Sequence, residues 1–179
     1  ADWRDINGHG TYETGIIAAL DNSLGVIGGS PRADIYAIKA LGDNAKGTVS
    51  DLIDGIEWAW KGPDGITPIE PGDSGDRAHI INMSLSVSSD SQALHDAVDK
   101  AYGFGMVLVA SAGNSGDGNA ATNDVQFPAK YSSVIAVGAV DQLDKVWSRS
   151  ADGPEVELVA PGVSVVSTDV GNTYSSGTG

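Results

Sequence analysis

Apolar residues recur along this chain with two alternating periods, that of strands and that of helices. Asp34-Ile35-Tyr36-Ala37-Ile38 reads as a strand, and the stretch beginning near Ser50 places Leu52, Ile53, Ile56 and Ala59 on one helical face. Ile80-Ile81-Asn82-Met83 is a second short strand. From about Ser91 the spacing of Leu94, Ala97, Val98 and Ala101 marks another amphipathic helix, ahead of the continuous apolar run Met106-Val107-Leu108-Val109-Ala110. Continuous runs suit strands covered on both faces. Val134-Ile135-Ala136-Val137 and Val156-Glu157-Leu158-Val159 add two more. Strand, helix, strand alternation implies an α/β domain with a mainly parallel sheet and right-handed crossovers. From Lys61 to Arg77, Gly62, Pro63, Gly65, Pro68, Pro71, Gly72 and Gly75 break both periods, which predicts a surface loop.

With 179 residues, 41% of them hydrophobic, the chain has material for one domain and one core. It shows no internal repeat or linker. No apolar run approaches the roughly 18 residues of a membrane-spanning helix, and Ala1-Asp2-Trp3-Arg4-Asp5 does not resemble a signal peptide, so the chain as given is expected to be soluble. A formal net charge of −14 argues against nucleic acid and against an anionic membrane surface as partners, because both recruit Lys and Arg. It fits a solvated acidic surface, high-salt adaptation, or carboxylates waiting for calcium. The absence of cysteine removes disulfides, thiolate zinc and a cysteine nucleophile.

In open parallel sheets, ligands and catalytic groups gather at the carboxyl ends of strands. Three places qualify. Asn7-Gly8-His9-Gly10-Thr11 sets a histidine between glycines before a helix starting near Thr11, with Ile16, Ile17 and Leu20 expected on its buried side; the alternative is a solvent-facing histidine in a turn. Ile81-Asn82-Met83-Ser84-Leu85-Ser86 is a strand that ends in small polar residues. Val109-Ala110-Ser111-Ala112-Gly113-Asn114-Ser115-Gly116 ends in a small-residue turn tipped by an amide, which either holds the turn or presents a donor to an oxyanion. His79 and His95 read as structural or exposed, and Trp58 and Trp60 as aromatics of the core and the surface.

Those three segments, in this order and spacing, resemble the subtilisin family of serine proteases. His-Gly-Thr at His9, Asn-Met-Ser-Leu at Asn82 and Ala-Gly-Asn-Ser-Gly at Ala112 are together highly specific. Leu20 to Gly28 is similar to the family's calcium loop, and Gly55-Ile56-Glu57-Trp58-Ala59 to its next helix. Phe127-Pro128-Ala129-Lys130-Tyr131, Val134 to Val140 and Val159-Ala160-Pro161-Gly162 extend the resemblance over essentially residues 1–179 as a single partial peptidase domain, with Lys61 to Arg77 as an insertion.

The resemblance implies a three-layer α/β fold with helices on both faces of the sheet, and peptide-bond hydrolysis by an Asp, His, Ser triad in a secreted endopeptidase of broad specificity. His9 would be the general base and Asn114 the oxyanion donor. Lys46-Gly47-Thr48 and Ser84-Leu85-Ser86 match the segments that flank an extended peptide or protein substrate as added strands. Ser84, Leu85, Ala112 and Gly113 would wall the primary specificity pocket. Structural calcium is implied at the Asn22 side chain with the carbonyls of Leu20, Leu24 and Val26. A weaker site is implied at the carbonyls of Ala129, Tyr131 and Val134 near Glu157.

The pattern breaks at both ends. The family's aspartate lies about thirty residues before its histidine, a context that neither Asp2 nor Asp5 has. Its serine follows Gly-Thr, whereas here the sequence reads Ser175-Ser176-Gly177-Thr178-Gly179, so that Gly179 falls on the motif's glycine with the serine expected two residues beyond or, in the alternative alignment, replaces the serine itself. The expectation is therefore a central fragment without triad Asp or Ser, inactive alone and prone to self-association or to complementation by another fragment. Tyr12-Glu13 also departs from the family's usual His-Val, and puts a carboxylate one turn from His9. The loop carboxylates Asp64, Glu70, Asp73 and Asp76 offer a further ion site or a solvated acidic loop. The competing classes are a non-catalytic peptide-binding module and a residual esterase using Ser84, Ser111 or Ser176, the latter without a paired base.

Overall fold

The computed structural model describes residues 3–62, 77–119 and 121–179. Its elements run α1 (His9–Ala18), α2 (Val49–Lys61), β1 (Ile80–Met83), α3 (Gln92–Gly103), β2 (Val107–Ser111), β3 (Ile135–Val140), β4 (Val156–Pro161), β5 (Val165–Asp169) and β6 (Thr173–Gly177). The expected ion site in the loop at Asp64, Glu70, Asp73 and Asp76 lies outside the described residues.

Local chemistry starts and stops the two long helices. Thr48 and Asp51 form a reciprocal capping box on α2, the Asp51 N–H donating to Thr48 Oγ1 (3.1 Å) and the Thr48 N–H to Asp51 Oδ2 (2.7 Å). Gly62, at φ 80°, ends that helix. Ser91 caps α3 by accepting from the Leu94 N–H. Their apolar stripes, Leu52, Ile56, Ala59 and Trp60 on α2 and Leu94, Ala97, Val98 and Ala101 on α3, pack together and are buried. Each leucine, isoleucine or valine among them contributes about 1.5 to 3 kcal/mol when fully buried. Trp60 stacks on Phe104 with centroids 4.8 Å apart.

Strands β1, β2, β3 and β4 form one parallel sheet in that order, with Asn82 opposite Val109, Val109 opposite Ile135 and Gly138 opposite Val159. Ile81, Met83, Leu108, Ala110 and Ala136 turn into the same core as α2 and α3. Ile80 and Val107, in register on the other face, are 60% and 45% exposed. The mainly parallel α/β class expected from the apolar runs is the one observed.

Three readings are corrected. Asp34 to Ile38 is no strand: it has no ladder partner among the described residues, and Tyr36 instead sits edge-on to Trp58 of α2 at 5.8 Å. The helix carrying His9 buries Gly15 rather than Ile16 or Leu20, which are 39% and 62% exposed. Gly15 lies close against Ser167 and Thr168, so α1 docks on β5 through a glycine, with Tyr12 packed on the same hairpin and Ile16 left exposed. Finally, β5 and β6 form an antiparallel hairpin that the apolar reading passed over. Its turn, Val170-Gly171-Asn172, has two positive φ values, at Gly171 and Asn172.

Candidate active site

His9 opens α1 immediately after Gly8, whose φ of 95° belongs to the left-handed region. That conformation favours glycine, and a side chain there would also press on the Asp169 carboxylate, 2.6 Å from where its Cβ would sit. Capping falls to Asp5, which accepts from the Gly8 N–H (2.9 Å), the Thr11 N–H (2.8 Å) and the Thr11 hydroxyl (2.8 Å). Burial alone would push this carboxyl up, but those hydrogen bonds outweigh it and hold it below the ordinary carboxylate range. Asp5 thus fixes the backbone that presents the histidine.

The His9 ring is 44% exposed, with Nε2 2.8 Å from the Ser84 carbonyl oxygen and Nδ1 3.9 Å from Glu13 Oε1. The second distance is too long for a hydrogen bond. Glu13 Oε2 instead accepts from the Ser84 hydroxyl (2.7 Å), and that oxygen in turn accepts from Asn82 Nδ2 (2.9 Å). Beside this network runs a cleft of about 540 Å³. Lys46, Gly47 and Thr48 form one wall and Ser84, Leu85 and Ser86 the other, with His9 among the lining residues and Leu52 of α2 contributing.

Asn114 belongs to the neighbouring strand end. Because β1 and β2 are parallel and in register, Ser84 and Ala112 leave the sheet at the same edge. Gly113, at φ 117°, turns the chain so that Asn114 follows, and the Gln126 side chain packs there within 3.0 Å of where a Cβ would sit. Gln126 also receives the Ser86 hydroxyl (2.5 Å) and so links the two strand ends. The Asn114 side-chain amide has no hydrogen-bond partner among the described residues, which leaves its N–H groups free as donors. Gly179 arrives beside it, held by its N–H on the Gly162 carbonyl (2.9 Å), and a Cβ there would stand 3.2 Å from Asn114 Nδ2. Ala112 and Gly113 do not line the cleft next to His9.

His9 and Asn114 therefore stand at one sheet edge, His9 lining the cleft and Asn114 at the neighbouring strand end. Among the described residues no hydroxyl is hydrogen-bonded to His9. Ser84 turns its hydroxyl to Glu13, Ser111 Oγ accepts from the Gly113 N–H (3.2 Å), and Ser176 lies on β6 opposite Val166.

The sequence matches the subtilase family over residues 1–179. The chain belongs to that family. It is 49% identical over 172 residues to Subtilisin DY of Bacillus licheniformis, covering 96% of this chain and 57% of that protein. Over 174 residues it is 45% identical to a Thermostable alkaline protease of Halalkalibacterium halodurans, covering 97% of this chain and 43% of that protein. It is 42% identical to the Minor extracellular protease Epr of Bacillus subtilis along its full length, which is 25% of Epr. This subtilase chain thus spans between a quarter and somewhat over half of those relatives.

The residues carried over for calcium make a partial set. Asn22 Oδ1 accepts from the Leu24 N–H at 3.1 Å, so the side-chain oxygen of the implied ligand set is turned onto the loop's own backbone. Leu20 and Leu24 are 62% and 70% exposed. An ion that takes about six to eight oxygens fits here only with ligands from outside the loop. Ala129, Tyr131 and Val134 are buried in a turn where the Tyr131 carbonyl already receives the Val134 N–H, while Glu157 is exposed on β4.

Asp5 as a cap and Gln126 as a strand-end link were missed in the sequence. Asp5 carried a signal in its spacing to Thr11, whereas Gln126 had none, since its partners are distant in the chain. Also unforeseen were the carboxylates of Asp117, Asp124 and Asp152, whose oxygens lie within 4.8 Å of one another. Asp117 and Asp124 are engaged with Thr122 and with loop N–H groups.

Proposed function

We propose that this chain supplies the base, the oxyanion donor and the substrate groove of a secreted subtilisin-type serine endopeptidase. The observation that carries the reading is His9 at the mouth of the Lys46–Ser84 cleft, with the unpartnered Asn114 amide at the same sheet edge. His9 accepts the proton of an attacking serine hydroxyl and returns it to the leaving amine. Asn114 Nδ2 donates to the developing oxyanion, a contribution of about 100- to 1,000-fold in turnover on the value established for subtilisin itself. The two cleft walls hold the substrate backbone as an added strand, so sequence tolerance is broad.

The triad serine and aspartate belong, on this reading, to polypeptide beyond these residues, as the partial coverage of the relatives supports. Alone, the chain binds without cutting, because the Ser84 hydroxyl is committed to Glu13 and cannot be deprotonated by His9. A complementing fragment restores the site, and structural calcium completes the Leu20, Asn22, Leu24 and Val26 loop when further ligands are supplied. The test is hydrolysis of a peptide anilide by the chain alone and by a polypeptide that extends it with its relatives' flanking segments. Turnover is expected only from the second. Turnover by the bare chain that survives repurification and a serine-protease inhibitor contradicts the reading.

A further inference from the structure

The chain carries 24 acidic and 10 basic residues, so a groove drawn from it at random would hold more carboxylates than ammonium or guanidinium groups. The cleft beside His9 is the reverse: among the described residues no Asp or Glu lines it, and its one Lys or Arg is Lys46. Lys46 is placed by a tight turn. The Gly42 N–H donates to the Lys46 carbonyl (2.9 Å), the Ala45 N–H donates to the Gly42 carbonyl (2.9 Å), and the Lys46 N–H donates to Asn44 Oδ1 (3.1 Å).

Its ammonium is also uncommitted. Lys39 is paired with Asp43 and Lys61 with Glu57, each at 2.6 Å, whereas Lys46 has no carboxylate partner among the described residues. Asp43, on the same turn, is paired with Lys39, while Asp51 and Glu13 accept from the lining residues Thr48 and Ser84 and so keep their charges one hydrogen bond outside the lining. Leu41, Leu52, Leu85 and Val87 share the lining, and their low-dielectric surface sharpens the field of a single charge.

Resting on the peptide-groove reading above, we infer that Lys46 gives this cleft a preference for an acidic side chain in the bound peptide. A lysine ammonium is a point charge on a flexible stem, so the preference is graded and sensitive to salt. The energy of an exposed pair sets its size at about two- to fivefold in affinity.

The test uses blocked peptides of about seven residues, built of alanine and leucine around one central Glu, Gln or Lys and labelled with a neutral fluorophore. Binding to the chain is read by anisotropy. Affinity is expected to fall from Glu to Gln to Lys, to flatten with salt, to flatten in Lys46→Met and to invert in Lys46→Glu. Both substitutions are at an exposed turn and leave the core alone, which circular dichroism checks. If the Gln peptide binds but the Glu and Lys peptides match it, or if Lys46→Glu leaves the order unchanged, this inference is overturned and the groove stands. If no peptide binds, the groove reading falls and the preference falls with it.

Discussion

Ser84 is bound to helix α1 twice, through its hydroxyl to Glu13 at 2.7 Å and through its carbonyl to His9 Nε2 at 2.8 Å. Other anchors of α1 are the β5–β6 hairpin, reached through Tyr12, Thr11 and Gly15, the Asp5 carboxylate, and the Gly29 and Ser30 N–H groups on the Ile16 and Ile17 carbonyls. Glu13 is therefore the carboxylate that ties the histidine helix to the edge of the main sheet. Glu13→Ala should lower unfolding free energy in urea by about 1 kcal/mol, the net worth of one half-exposed charge-assisted bond. Glu13→Gln should cost less than half of that, since its amide oxygen still accepts from Ser84. Equal losses in the two variants would mean that the tie to Ser84 is not what Glu13 contributes.

Asp5 makes a prediction about acid. Burial opposes ionisation here, but the bonds from Gly8 and Thr11 prevail, so its folded value lies below the ordinary 3.8. A depressed carboxyl contributes stability that is present above the unfolded value and is lost as pH falls through the folded one. Asp5→Asn should therefore be less stable than the parent at neutral pH, and the gap between the two should close as pH drops below about 4. Urea midpoints of both proteins from neutrality down to about pH 2 measure this. A gap that persists unchanged in acid would remove the carboxylate from the account.

Much of this could be read in the sequence because it is local. The α2 and α3 stripes and the apolar runs that become β2 and β3 depend on neighbours a few residues away. His9, Ser84 and Asn114 were found at strand ends or a helix start for the same reason. Asp34 to Ile38 failed because a strand also needs a partner, and periodicity says nothing of whether one is present. The exposed Ile16 and Leu20 failed likewise, since helix apolarity shows that a face exists but not what covers it. The Glu13 to Ser84 bond spans 71 residues and leaves no trace in local pattern.

In a polypeptide that extends this chain with its relatives' flanking segments, calcium binding is predicted at the loop around Asn22. An ion that binds only the native state raises its stability by mass action, by about 2.7 kcal/mol at a hundredfold excess over Kd. Melting in a chelator and in millimolar calcium should differ by several degrees, and Asn22→Ala should shrink the difference. No shift between the two conditions would count against both this loop and the Ala129, Tyr131, Val134 and Glu157 site, and would leave the fold untouched.

The central claim is that His9 is the base of a subtilisin-type site and Asn114 its oxyanion donor. It is tested most directly by kcat on a peptide anilide in a polypeptide that extends this chain with its relatives' flanking segments, compared for the parent, His9→Ala and Asn114→Ala. On the values established for subtilisin itself, His9→Ala should lose about a million-fold in kcat and Asn114→Ala about 100- to 1,000-fold. A His9→Ala protein that keeps kcat within about tenfold of its parent, a difference of only about 1.4 kcal/mol in barrier, would contradict the account.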